Sequence, residues 1–325
     1  MSTTAFILSY NHQEKLIECV ESLLAQACVK EILILENFST RPMEETYLTI
    51  QNLSPIIRIE YATTPHSYSE GQNWGLDQAK YPYVLLMNND AIILQKEVLQ
   101  TSVDFLEKNP RIGIVGHKII NLDGTLNHFG MYFRFHPFWA HHFGRNDSPK
   151  SYLYKRPMSC VAATGACMLV RKTAIRFDTN YWFEHEDVDF CLQYRQVRLG
   201  TLCNPYFEVL HDESSSRGEI QNVNIQWIGK QHLGTKYFFK KWSKRRLDIC
   251  ISSFKHLILT FQKERVIALQ IADIPAGITA LTILVYFKLF APILIAILAY
   301  FYMRYLFIII ANTLLKIYIW IHSKI

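Results

Sequence analysis

No C-x-x-C occurs in the 325 residues, and the seven cysteines (Cys19, Cys28, Cys160, Cys167, Cys191, Cys203 and Cys250) are odd in number. That pattern points to neither a zinc ribbon nor a disulfide framework. The thiols read as reduced and mostly buried, in a cytoplasmic setting. Met1 leads straight into a strand pattern, without a basic region or a small-residue cleavage site, so no signal peptide is expected. An excess of charge is missing too. The formal net charge of +6 is too mild to point to nucleic acid. After the first predicted strand, Ser9 to Gln13 carries neither the glycines nor the lysine of a phosphate loop. This argues against a nucleotidyltransferase or similar metal-dependent nucleotide enzyme.

What is present centres on Tyr83-Val84-Leu85-Leu86-Met87-Asn88-Asn89-Asp90. An apolar run of this length reads as a strand buried on both faces. Ligands of open α/β sheets sit outside the carboxyl ends of such strands. Asp90 is therefore placed at the mouth of a crevice. A carboxylate flanked by amides suits a hard cation that completes its shell from diphosphate oxygens and water. Taken alone, the same residues fit a polar turn.

The flanking chain alternates strand and helix. Thr4–Ser9 is the first strand, and Asn11 with Glu14 has the spacing of a helix capping box. Strands follow at Glu31–Glu36 and Ile56–Tyr61, with helices around Glu44–Leu53 and after Gly71. This order predicts a doubly wound, mostly parallel sheet. Ser9–Asn11, Glu36–Ser39 and Asn88–Asp90 then fall at one edge. A helix at Lys96–Lys108, a strand at Ile112–Val115, an Asp123-Gly124 hairpin and a buried strand over Ala162–Val170 extend the pattern. In the aromatic stretch His128–Phe143, a packed satellite cluster is favoured over a metal site built from His136, His141 and His142.

A second acidic landmark lies at Glu184-His185-Glu186-Asp187-Val188-Asp189, among aromatics. Four carboxylates in six residues are costly to bury unless they bind or catalyse. A helix begins near Asp187, which puts Glu186 and Asp187 where negative charge is tolerated. A strand over Asn204–Leu210 ends in His211, with a serine-rich loop and Arg217 behind it. Both are placed to meet a metal or phosphate.

Lys240-Lys241-Trp242-Ser243-Lys244-Arg245-Arg246 precedes two apolar runs, Ile274–Tyr302 and Tyr305–Ile321. The basic run reads as a collar on an anionic leaflet. The apolar runs read as two spans, or as an interfacial hairpin in one leaflet. The expected organisation is a catalytic domain over 1–235, a basic amphipathic connector over 236–270 and a helical membrane segment over 271–325.

At ILSYN, ILENFST, EGQNWG, LLMNNDA, GACMLVRK, FEHEDVDFCLQYR and LHDESSSRG, the sequence resembles the family 2 glycosyltransferases of the GT-A fold. The similarity is to their rhamnosyltransferase-like branch of bacterial polysaccharide synthesis, over roughly residues 4 to 235. The resemblance implies that Ser9, Tyr10 and Asn11 line the base and ribose of a nucleotide-diphosphate sugar. It places Glu36 and Asn37 at the base, and Gly71 and Asn73 in a turn approaching the nucleotide sugar. Asn88-Asn89-Asp90 matches a D-x-D metal site with Asn at its first position, so Asp90 and His211 would hold Mg²⁺ or Mn²⁺. Asp187, with Glu186 second, matches the catalytic base of an inverting single displacement. The expected acceptor is a glycan linked to a polyprenyl diphosphate at the cytoplasmic membrane face. The alternative is a membrane-tethered binder of nucleotide sugars that has lost turnover.

Overall fold

The computed structural model describes residues 1–133, 140–181, 184–211, 225–260 and 300–307. The first half of the chain alternates as expected: β1 (Thr3–Ser9), α1 (Gln13–Leu24), β2 (Val29–Glu36), α2 (Glu44–Leu53), β3 (Ile57–Tyr61), α3 (Tyr68–Gln78) and β4 (Tyr83–Asn88). Then come β5 (Ala91–Ile93), α4 (Leu99–Lys108), β6 (Ile112–Ile120), β7 (Leu126–His128), β8 (Met131–Phe133), β9 (Ala140–His142), β10 (Met158–Cys160) and β11 (Cys167–Arg171). The described elements end with α5 (Glu186–Gln196), β12 (Gly200–His211), α6 (Ile225–Trp242) and α7 (Arg246–Thr260).

One sheet runs in the order β10-β12-β6-β11-β4-β1-β2-β3, with β5 on β12 and β7 on β6. β1 is parallel to β2 and β4, and β2 to β3. Ala5, Phe6, Ile7, Val84, Leu85 and Leu86 are fully buried, as parallel strands covered on both faces must be. Registers Ser9↔Glu36, Glu36↔Tyr61 and Leu8↔Asn88 level the four carboxyl ends. β11 is antiparallel to both neighbours, β4 and β6. Cys167 opposite Met87 therefore brings the start of β11 to the edge where β4 ends.

Two glycines let α3 lie close on β1. A Cβ built on Gly75 would sit 2.3 Å from the Phe6 ring, and one on Gly71 2.6 Å from Leu8. Gly71 and Asn73 therefore lie inside a helix rather than in a turn. The helix begins earlier because Ser67 and Glu70 form a reciprocal capping box. The expected box at Asn11–Glu14 does not form. His12 is the N-cap of α1 at φ 61°, with no side-chain cap. Asn11 Oδ1 instead accepts from the N–H groups of Thr40 and Arg41. Gly75→Ala is expected to cost about 1–3 kcal/mol by overpacking. Chemical denaturation reads this, and an unchanged midpoint would mean that α3 slides freely on β1.

Residues Met1–Tyr132 with His141–Lys244 form one compact unit, and Phe133–Ala140 with Arg245–Ile325 a second. α6 ends the first. Its Lys241 and Trp242 turn inward rather than joining a surface collar, because buried Asp189 requires partners. Lys241 Nζ lies 2.9 Å from Asp189 and 2.6 Å from Asp178, and Trp242 Nε1 donates to Asp189 at 2.7 Å. Lys240, Lys244, Arg245 and Arg246 remain exposed. Among the described residues no helix is long and apolar enough to cross a membrane. Apart from residues 300–307, the tail expected to associate with a membrane (271–325) lies outside them. So do Arg217 and His136.

Candidate active site

Asp90 lies between β4 and β5, buried, with its Oδ1 3.2 Å from His211 Nε2. The same nitrogen is 3.3 Å from Asn88 Nδ2. Pairing of β5 with β12, His211 opposite Ala91, produces this meeting across more than a hundred residues. Asn89 turns inward, donating to the carbonyls of Tyr10 at 3.0 Å and Asn11 at 3.2 Å. It ties the end of β4 to the end of β1. A carboxylate beside an imidazole fits a divalent cation that also takes diphosphate oxygens and water. Among the described residues no group of three His, Cys, Asp or Glu converges. Asp90 and His211 would therefore supply part of a shell, not a closed cage.

The second landmark arrives at the same edge through β11. The Asn88 N–H donates to the Ala166 carbonyl at 2.9 Å. One residue earlier, the Gly165 N–H donates to Asp187 Oδ2 at 2.9 Å. Asp187 Oδ1 accepts from the Val188 N–H at 2.7 Å. Asp187 is thus fixed to the turn that holds Asn88. Thr164–Ala166 is not strand, contrary to the expectation of a continuous strand from Ala162. Its backbone serves side chains instead, with the Ala163 N–H on the Cys191 sulfur and Gly165 on Asp187. Tyr68, half-buried, donates its hydroxyl to the Gly165 carbonyl at 3.0 Å. A Cβ on Gly165 would lie 2.4 Å from that hydroxyl.

Local backbone presents the acids. Glu184 and His185 both take left-handed conformations, at φ 66° and 69°, just before α5. The His185 ring stacks on Phe238 at 4.8 Å, and burial pulls its pKa down to about 4, so it is neutral. Burial, then the charge of Asp187, raises the Glu186 carboxyl, and among the described residues the buried Glu186 Oε2 has no hydrogen-bond partner. Burial raises Asp187 as well, against the lowering pull of the Gly165 and Val188 N–H groups. Two carboxyls held above their usual range, beside the turn that holds the end of β4, are the form a general base takes near neutral pH.

The remaining predicted residues build the loops. Glu36 accepts from the Ser39 N–H at 2.5 Å and from the Tyr47 hydroxyl, which is also 3.0 Å from Ser9 Oγ. Asn37 is bonded twice to the backbone of His66, at 3.0 and 2.8 Å. Asn73 clamps the Phe177 backbone in the same two-point manner, at 2.9 and 2.7 Å. The His-rich stretch is a packed cluster in its described part, with His141 stacked on Tyr132 and His128 against His142. Sequence reasoning passed over Tyr68, whose aromatic type carries no site signal.

A mostly parallel sheet with amides and carboxylates along its carboxyl edge is the arrangement in which open α/β folds bind their ligands. The chain belongs to glycosyl transferase family 2, whose model matches residues 4–177. It is 28% identical over 211 residues to the O-antigen biosynthesis protein RfbC of Myxococcus xanthus, covering 61% of this chain and 16% of that protein. It is 25% identical over 219 residues to the uncharacterized protein y4gI of Sinorhizobium fredii, covering 64% of this chain and 24% of that one. The chain thus spans less than a quarter of the length of these relatives. Among solved structures, GalNAc-T7 with UDP, GalNAc and Mn²⁺ shares the fold at TM-score 0.55 and 13% identity, over 65% of this chain and 44% of that one.

Proposed function

We propose that this chain moves a sugar from a nucleotide-diphosphate donor to a hydroxyl of a glycan acceptor, with inversion. One observation carries the reading. Asp187 is pinned through Gly165 to the turn that holds Asn88, beside Asp90 and His211. The diphosphate would lie toward Asp90 and His211, with the acceptor hydroxyl toward Asp187. Asp187 takes the proton of the attacking hydroxyl, and the Gly165 and Val188 N–H groups hold the carboxylate in place for it. Burial, then the charge of Glu184, raises the basicity of Asp187. A divalent cation on Asp90 and His211, as Mg²⁺ or Mn²⁺, would supply neutralisation of the departing diphosphate. The Mn²⁺ and UDP of the GalNAc-T7 structure support that cofactor and donor class.

The RfbC relative supports a surface-polysaccharide glycan as acceptor. Exposed Lys240 and Lys244, ahead of Arg245-Arg246 and the apolar runs of the sequence, support attachment at the cytoplasmic membrane face, where a polyprenyl-diphosphate-linked acceptor would lie. The test is a panel of nucleotide sugars with and without Mg²⁺ or Mn²⁺, scored by thermal stabilisation and release of nucleoside diphosphate. One donor is expected to do both, in a cation-dependent way. Stabilisation without release by any acceptor or water would favour the binding-protein alternative. Neither response across the panel would sink the reading.

A further inference from the structure

Phe38 occupies a left-handed backbone conformation, φ 59°, in the loop after β2. A bulky side chain is rarely found there, since its Cβ crowds the following carbonyl. Such strain persists only where the surroundings over-determine it. They do so here: the Asn37 N–H donates to the Ser9 carbonyl at 2.9 Å, and Asn37 is clamped to His66. On the other side, Ser39 is held by Glu36 and by the Asn11 N–H. No core packing explains the ring, which is 47% exposed. Tyr10, at the end of β1, is 44% exposed, and Tyr61, at the end of β3, is 61% exposed. Ser9 pairs with Glu36 and Asn11 bonds to Ser39, so Tyr10 and Phe38 lie on adjoining strand ends. Asn89, next to Asp90, is bonded to the carbonyls of Tyr10 and Asn11. The aromatic surface therefore adjoins the edge assigned to the diphosphate.

We infer that Phe38 is a stacking platform for the base of the nucleoside-diphosphate donor, a binding residue fixed in place at a conformational cost. This rests on the proposed donor class. A flat π-faced group joined to a diphosphate is a nucleobase, and stacking on a rigid ring needs no particular base edge.

The experiment measures binding of UDP, GDP, dTDP and inorganic diphosphate, each with Mn²⁺, to wild type, Phe38→Asn and Phe38→Trp. Asn tolerates the left-handed region, so Phe38→Asn removes the ring and the strain together. It is expected to weaken the best-bound nucleotide by about tenfold or more. Inorganic diphosphate affinity should be unchanged, and the thermal midpoint of the free protein should not fall. A rise of about 2–4 °C is expected. Phe38→Trp should keep nucleotide affinity. An unchanged nucleotide affinity in Phe38→Asn, with wild type binding normally, overturns the stacking role and leaves the transferase reading intact. Equal losses for nucleotide and inorganic diphosphate, or a lowered midpoint, would make the ring structural and overturn it too. Failure of wild type to bind any of the nucleotides removes both.

Discussion

Asp187→Asn is expected to lower turnover by roughly 10²–10⁴-fold while leaving nucleotide-sugar affinity close to wild type. The side chain keeps its size and one acceptor oxygen, so it can hold the Gly165 or the Val188 N–H but not both, and unchanged nucleotide-sugar affinity is the readout that separates lost chemistry from a displaced turn. What is lost is the lone pair that takes the acceptor proton. The pH dependence follows from the raised carboxyls. The working form is the carboxylate, so the rate falls as pH drops through the folded-state pKa. Burial holds that pKa above the ordinary carboxylate value, so the acid limb is expected above the range of a free aspartate. Its apparent pKa belongs to the Glu186–Asp187 pair rather than to one residue. In Asp187→Asn the limb should move down, since Glu186 loses the neighbouring charge that helps to raise it. Steady-state rates with the donor found in the panel, across pH, check both points. Near-normal turnover in Asp187→Asn together with a collapse in Glu186→Gln would transfer the base to Glu186.

The parts of this site that were legible in the sequence are those whose signal is local. An apolar run ending in Asn88-Asn89-Asp90 marks a strand end, and the helical pattern from Asp187 marks the start of a helix, without knowledge of the rest. Parallel pairing then does the remaining work, since levelling β1, β2, β3 and β4 brings their polar ends to one edge. What the sequence hides is which long-range partner each polar group finds. Glu36 and Asn37 looked like free ligands of a base, but their side chains bind Ser39, Tyr47 and His66. Lys241 and Trp242 looked like an interfacial pair until Asp189, fully buried, claimed both. The family resemblance places Gly71 in a turn approaching the nucleotide sugar. It is instead the place where a helix without a Cβ closes on Leu8. Each miss substitutes a tertiary demand, a buried acid or a close approach, for a local preference.

Asp90→Ala is expected to remove the dependence of nucleoside-diphosphate affinity on Mn²⁺ and to lower kcat/KM by about 10²–10³-fold, the equivalent of several kcal/mol of charge stabilisation. Asp90 is placed for this by two independent constraints. The turn from β4 into β5 fixes its backbone, and His211 at 3.2 Å fixes its carboxylate. No second acid stands at the Asn88 position to take over, and Asn88 is already directed at the His211 ring. The loss should therefore be close to complete in one substitution, where a site with two acids would lose affinity in steps. His211→Ala should act in the same direction and add little to Asp90→Ala, because the two groups serve one ion. Calorimetric titration of the nucleotide, with Mn²⁺ and with a chelator, reads the dependence directly and does not require the acceptor. If Asp90→Ala binds nucleotide as tightly as wild type and keeps the same response to Mn²⁺, then the ion is held elsewhere, and Asp90 and His211 are only a buried pair closing the end of the sheet.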